Sequence, residues 1–131
     1  MKHDAVVNRE EIITGLDSVI IQKYISGIKG GRTLDVSDFE LDVINAGHVI
    51  IKKEDGNYAP MPVSGEAYGS LPSNAEYVGV LRTSILKKNP QAAIMTNGEV
   101  NIKAVKFPMT EIAEAFAEAC PHITFIEDEE A

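Results

Sequence analysis

The stretch EYVGVLRTSILKKNPQAAIMTNGEVN, positions 76–101, decides the fold. Two runs within it, 77–86 and 92–100, hold the β-branched residues Val78, Val80, Ile85, Ile94 and Val100. Such side chains are stiff at χ1 and suit a pleated, half-buried surface, so both runs are expected as strands. Gly79, Asn89-Pro90 and Asn97-Gly98 punctuate them, giving the order strand, loop, strand, tight turn, strand. A type I′ turn needs positive φ at both central residues, which Asn tolerates and Gly adopts without penalty. A hairpin tip is therefore expected at Asn97-Gly98.

Upstream, 49–53 reads as a short strand entered through Ala46-Gly47 and left through Glu54-Asp55-Gly56, where Asp-Gly marks a second tight turn. Gly47, Gly56, Gly79, Asn97 and Gly98 are the expected structural turn positions. The return strand, 58–63, contains Pro60 and Pro62, which cannot donate ladder hydrogen bonds, so it is expected at an edge or irregular. Positions 64–74, rich in Gly, Ser and Pro, form the longest loop candidate. The segment 34–42 alternates Leu34, Val36, Phe39 and Leu41 with Asp, Ser and Glu, broadly the period of a half-buried strand or extended segment. The run 18–28 has a β-branched density that favours a strand, ended by Gly27, Gly30 and Gly31.

Positions 1–17 mix charges with the apolar pairs Val6-Val7 and Ile12-Ile13. Asn8 and Glu11 have a capping-box-like spacing that would place Ile12, Ile13 and Leu16 on one helical face, but Gly15 cuts such a helix short. A run this brief is marginal alone in water, so an arm that orders on a partner is expected, with a frayed terminus as the alternative. Downstream, 109–119 reads as the helix: Thr110 is an N-cap type, Glu111 and Glu114 suit the positive end of the dipole, and Pro121 limits the other end. Ile112, Ala115, Phe116 and Ala119 would form its apolar face. A short last strand is expected at 123–126 and a solvated acidic tail beyond it. The division is an arm at 1–17, a β-rich domain at 18–126 and a tail at 127–131, and the fold class is mainly β (α+β) with one packed C-terminal helix.

At 131 residues the chain is the size of one domain, and aromatics at 6% with no Trp leave aliphatic side chains to fill the core. A net charge of -8 argues against nucleic acid or an anionic membrane surface as partner. One cysteine excludes an intrachain disulfide, and no secretory signal or bilayer-spanning run is read, so an intracellular or virion-borne soluble protein is expected.

Chemistry-bearing patterns are weak. Asp38, Glu40 and Asp42 have the one-three-five spacing of a calcium loop, but Val43 and Val49 stand where its Gly and bidentate Glu belong. Cys120 and His122 lie where a helix C-terminus disfavours a thiolate, so a buried structural Cys is expected. His3, His48 and His122 are too scattered for a zinc pattern, and Ser64 and Ser70 lack a nucleophile elbow. Gly27, Gly30 and Gly31 lack the Gly-Lys-Ser/Thr ending of a phosphate loop. Neither catalysis nor a metal or cofactor is expected.

The segments AGHVIIKKEDGNYAPMPV (46–63), YVGVL (77–81) and MTNGEVN (95–101) resemble the lambda-type head decoration proteins of tailed phages, most closely a Bacteroides-phage branch sometimes labelled head fibre protein. The resemblance covers about 30–126, and its motifs are structural glycines and strand residues. It implies a small β-barrel or β-tulip-like domain that acts as capsid cement, a homotrimer on the outside of the expanded head that binds the major capsid protein. It also implies location on the virion surface after synthesis in the bacterial cytoplasm. In that setting Val6, Val7, Ile12, Ile13 and Leu16 of the arm are the candidate capsid-binding residues. The rival readings are a small-molecule or glycan-binding β domain with loop 64–74 as its mouth, or the base of a head fibre.

Overall fold

A computed structural model describes residues 16–127. The chain enters through one helical turn, α1 (Asp17–Ile20), and runs directly into β1 (Ile21–Gly27). The remaining strands are β2 (Arg32–Thr33), β3 (Val43–Ile44), β4 (Val49–Lys52), β5 (Tyr58–Pro60), β6 (Val63–Ser64), β7 (Ala67–Tyr68), β8 (Glu76–Leu81), β9 (Ile85–Leu86), β10 (Gln91–Ala92), β11 (Ile94–Asn101) and β12 (Ile123–Ile126). A helix, α2 (Ala113–Ala119), precedes β12. The protein is thus mainly β with one packed C-terminal helix.

The longest strand, β11, is the hub of a six-stranded sheet ordered β1-β11-β8-β4-β5, with β12 also beside β11. One edge of β11 takes β1 antiparallel. The other edge takes β8 through Ile94 and Met95, then β12 in parallel from Gly98 to Asn101. The sheet ends at β1 and β5, which do not pair with each other among the described residues. Three two-stranded ribbons, β2 with β10, β3 with β9 and β6 with β7, lie outside it.

The centre of this sheet is buried on both faces. Val49 and Ile51 of β4, Val80 of β8 and Met95 of β11 belong to one apolar cluster, with Met61, Phe107, Ile112 and Phe116. Their strand neighbours Ile50, Leu81 and Ile94 belong to the second, with Leu34, Phe39 and Ile44. Successive side chains point to opposite faces, so the unbroken apolar run at Val49 to Ile51 is what a strand covered on both sides requires. Helix α2 lies over the first face through Ile112, Phe116 and Cys120, spaced four apart on one side. The segment 34–42 covers the second.

Several expectations are corrected. Asn97 and Gly98 are no hairpin tip: both lie inside β11, opposite Ser26 and Tyr24 of β1. Gly98 lacks positive φ, and a Cβ there would collide with the Lys23 carbonyl oxygen. Glycine is needed because a neighbouring backbone comes too close, the other physical meaning of a strand glycine. Gly79 is likewise no turn residue. It sits in β8 opposite Ile50, beside a register shift that leaves Val78 as the extra residue, and a Cβ on it would strike the Met95 carbonyl oxygen. Gly47 and Gly56 do adopt positive φ, at +83 and +88, in the turns on either side of β4.

The run 77–86 is broken, β8 ending at Leu81 and β9 resuming at Ile85, and 92–100 likewise divides between β10 and β11. Strand β5 is the sheet edge, as its prolines require, and β1 and β12 occupy most of 18–28 and all of 123–126. The extended segment 34–42 shows the expected alternation in burial, with Leu34 and Phe39 inside, but no ladder partner. Helix α2 starts later than expected. Ile112 is its N-cap without a side-chain cap, Thr110 lies in the preceding turn, and Ala115 and Ala119 face solvent. The turn that leads into the helix is closed by Ile112 N–H donating to Met109 C=O at 3.0 Å. The loop 64–74 contains the β6–β7 ribbon, with Gly65 at φ +66 between its strands.

Candidate functional site

Three exposed large apolar side chains lie on the residue leading into α1 and on β1. Leu16 is 61% exposed, Ile25 52% and Tyr24 39%. The five central residues of β1, Gln22 to Ser26, are all exposed, and β1 is a terminal strand of the sheet. The backbone groups on its outer side are therefore unpaired among the described residues, the arrangement that accepts an added strand. Arg82 lies 3.7 Å from the centroid of the Tyr24 ring, a cation over an aromatic face that restricts the tyrosine at this edge.

The start of β1 is held by a short polar relay. The Asp17 carboxylate accepts hydrogen bonds from Ser84 N–H at 2.8 Å and Ser84 Oγ at 2.7 Å, while Ser84 Oγ accepts from Ala46 N–H at 2.8 Å. Ile20, one turn later, is buried and packs beside Gly47, where a Cβ would lie 2.7 Å from it. Of the proposed arm residues, Val6, Val7, Ile12 and Ile13 lie outside the described residues. Leu16 is at the boundary and points to solvent.

A buried aromatic cage stands away from this edge. His48 is 3% exposed, and its ring meets Phe39, Tyr68 and Phe107 edge-on at centroid distances of 5.3, 5.1 and 5.6 Å. Its Nε2 lies 2.9 Å from the Met61 carbonyl oxygen, which can only accept, so Nε2 carries the proton. Burial lowers the imidazole pKa to about 4, against a smaller upward pull from that carbonyl. Tyr68 Oη accepts from Val49 N–H at 3.0 Å, and burial raises its pKa. Cys120 is buried, and desolvation pushes its thiol up to about 11, the state of a packing residue rather than a nucleophile.

Clefts open on the surface of the described residues. One, about 490 Å³, is lined by Val36, Asp42, Leu86, Lys87 and Lys88, and another, about 380 Å³, by Lys53, Glu54, Asp55, Pro72 and Ser73. Lys53 pairs with Asp35, whose carboxylate also accepts from Ser37 N–H and Oγ at 3.1 and 2.7 Å; the lysine and these bonds hold it well below the usual carboxylate range. Among the described residues, no three His, Cys, Asp or Glu side chains are grouped to hold a metal, and no helix is long and apolar enough to cross a membrane.

The sequence reading missed both the relay and the cage. Asp17, Ser84 and Ala46 are far apart in the chain, and nothing in their spacing joins them. For His48 a signal existed: with so few aromatics in the chain, a histidine inside an apolar run beside a turn marks a place where they gather. Comparison with known proteins returns no matching family model, curated protein or solved structure, so the function is argued from these residues and the resemblance of their motifs.

Proposed function

We propose that this protein is a capsid decoration protein of the lambda type, binding the outside of an expanded phage head as a homotrimer through the major capsid protein. The observation that supports this most is the placement of the resembling motifs. Segments 46–63, 77–81 and 95–101 are separate in sequence, yet they supply β4, β5, β8 and the larger part of β11, four consecutive neighbours of one sheet. They therefore lie together in one structural unit. A cement protein also needs an interface more than a pocket, and the open β1 edge with Leu16, Tyr24 and Ile25 is such a surface.

The mechanism is linkage. A protein that binds the expanded lattice and not its separated subunits stabilises the lattice by mass action, and a trimer touching several subunits gains avidity. Val6, Val7, Ile12 and Ile13 are the residues whose binding to the major capsid protein this reading proposes. The test is co-sedimentation with expanded and unexpanded heads assembled from a tailed-phage major capsid protein. Saturable binding to the expanded form, with a raised disassembly temperature, is expected. Absence of binding to either form would overturn the reading, and so would a monomer mass by light scattering both free and shell-bound.

The glycan or small-molecule alternative draws on the cleft at Pro72 and Ser73, which does border loop 64–74. None of the described residues lining it is aromatic, so it lacks the flat apolar faces on which sugar rings stack.

A further inference from the structure

His48 joins parts of the molecule that the strand ladders leave loose. Segment 34–42 brings Phe39, the ribbon β6–β7 brings Tyr68, segment 102–112 brings Phe107, and the chain leaving β5 brings the Met61 carbonyl. Apart from the two-residue strands of β6–β7, these segments are turns and extended chain, tied to the sheet by isolated backbone bonds such as Asp35 N–H to Tyr58 C=O and Met61 N–H to Val49 C=O, and their side chains meet at one imidazole. We propose that His48 is an acid-sensitive latch: a proton taken up on Nδ1 opens this loop end of the domain while β1, β8 and β11 stay paired.

Among the described residues, no carboxylate bonds the His48 ring. The ring touches three aromatic side chains and a backbone carbonyl that already accepts the Nε2 proton. Tyr68 is the titratable group against it, neutral because burial raises its pKa. From segment 102–112 the charged neighbour is Lys106, whose Nζ lies 6.0 Å from the Phe107 ring and adds like charge. From segment 34–42, Asp38 and Glu40 flank Phe39 but are exposed to solvent. From its own turn, His48 N–H donates to Asn45 C=O at 3.1 Å. A charge formed here is stabilised by opening to water, not by a partner in place.

The test is amide hydrogen exchange of the intact protein from pH 7 to pH 5, expressed as protection factors, with the ring nitrogens of His48 followed by NMR over the same range. With a pKa of about 4 in the closed state and 6.5 when exposed, opening should be favoured roughly 20-fold more at pH 5 than at pH 7. The expected result is that loss of protection at Met61, Gly69 and Ile112, while the amides of β1 and β11 hold. The variant His48→Gln keeps a donor for Met61 and cannot titrate, so its protection should not change over this range. Unchanged protection at these amides, equal loss across the sheet, the same pH response in His48→Gln, or a His48 ring that stays closed and neutral while the segments open would each overturn the proposal. The exchange pattern and ring titration of the unaltered protein decide the matter even if the variant fails to fold.

Discussion

At Gly98 the backbone of β1 leaves no room for a side chain, and the Met95 sulphur stands 2.5 Å from where a Cβ would be. Gly98→Ala should therefore cost about 1–3 kcal/mol through overpacking, and Gly98→Val more, because two further methyls meet the same backbone. Gly56→Ala is the control. Its φ of +88 strains an alanine, but nothing lies within 4 Å of the added Cβ, so the expected loss of about 1–2 kcal/mol is backbone strain alone. Urea denaturation midpoints measure both series. A Gly98→Ala midpoint equal to that of the unaltered protein would mean that β1 does not approach there.

Two anchors decide whether elements stay docked. Phe116 is fully buried under α2 and stacks on Phe125 at 5.6 Å, with Tyr77 edge-on at 5.7 Å. Phe116→Ala should lose roughly 3–5 kcal/mol, a large share of the stability of an ordinary domain, and near-ultraviolet circular dichroism would report the detached helix. At the other end, Asp17 satisfies both the backbone and the hydroxyl of Ser84. Asp17→Ala should cost about 1–3 kcal/mol because it orphans donors that are partly buried. Residues 1–15 lie outside the described residues, and the described core is built without them. A chain cut after Gly15 should fold and keep its oligomeric state yet bind capsids poorly, whereas a cut after Asp17 should also lower the melting temperature. Equal melting of the two truncations would remove Asp17 from this role, and undiminished capsid binding would remove the arm from its own.

The whole molecule should be acid-labile in two stages. His48 is buried neutral with a folded pKa of about 4, below its ordinary 6.5, so its contribution is complete above pH 6.5 and is lost as pH falls toward 4. Asp35 has a folded pKa depressed below 3.8 by Lys53 and Ser37, so its contribution is complete above that value and is lost only at lower pH. Both ends of that ion pair keep about a quarter of their side-chain surface in water, at 25% and 29%, so the second stage should be the smaller. Denaturation midpoints from pH 8 to pH 3 should hold steady down to about 6.5, decline to about 4, and decline further below 3.8. A profile flat to pH 4 would contradict the burial of His48.

What the sequence determined by itself is local. Strand-forming runs, the Asp55-Gly56 turn, an edge strand at Pro60, the presence of a C-terminal helix and a buried Cys120 follow from β-branching, ring closure, side-chain size and periodicity, which act within a few residues. Tertiary structure alone decided how glycine is used at Gly79 and Gly98. The Asn97-Gly98 pair has the chemistry of a turn, but its flanking residues bond to β1 and β12 instead of to each other, and only the packed sheet shows the backbone that excludes a Cβ. It also decided the open edge at β1, the Asp17–Ser84–Ala46 relay and the cage around His48. Each joins residues distant in the chain, so its energy comes from long-range closure that no local pattern records.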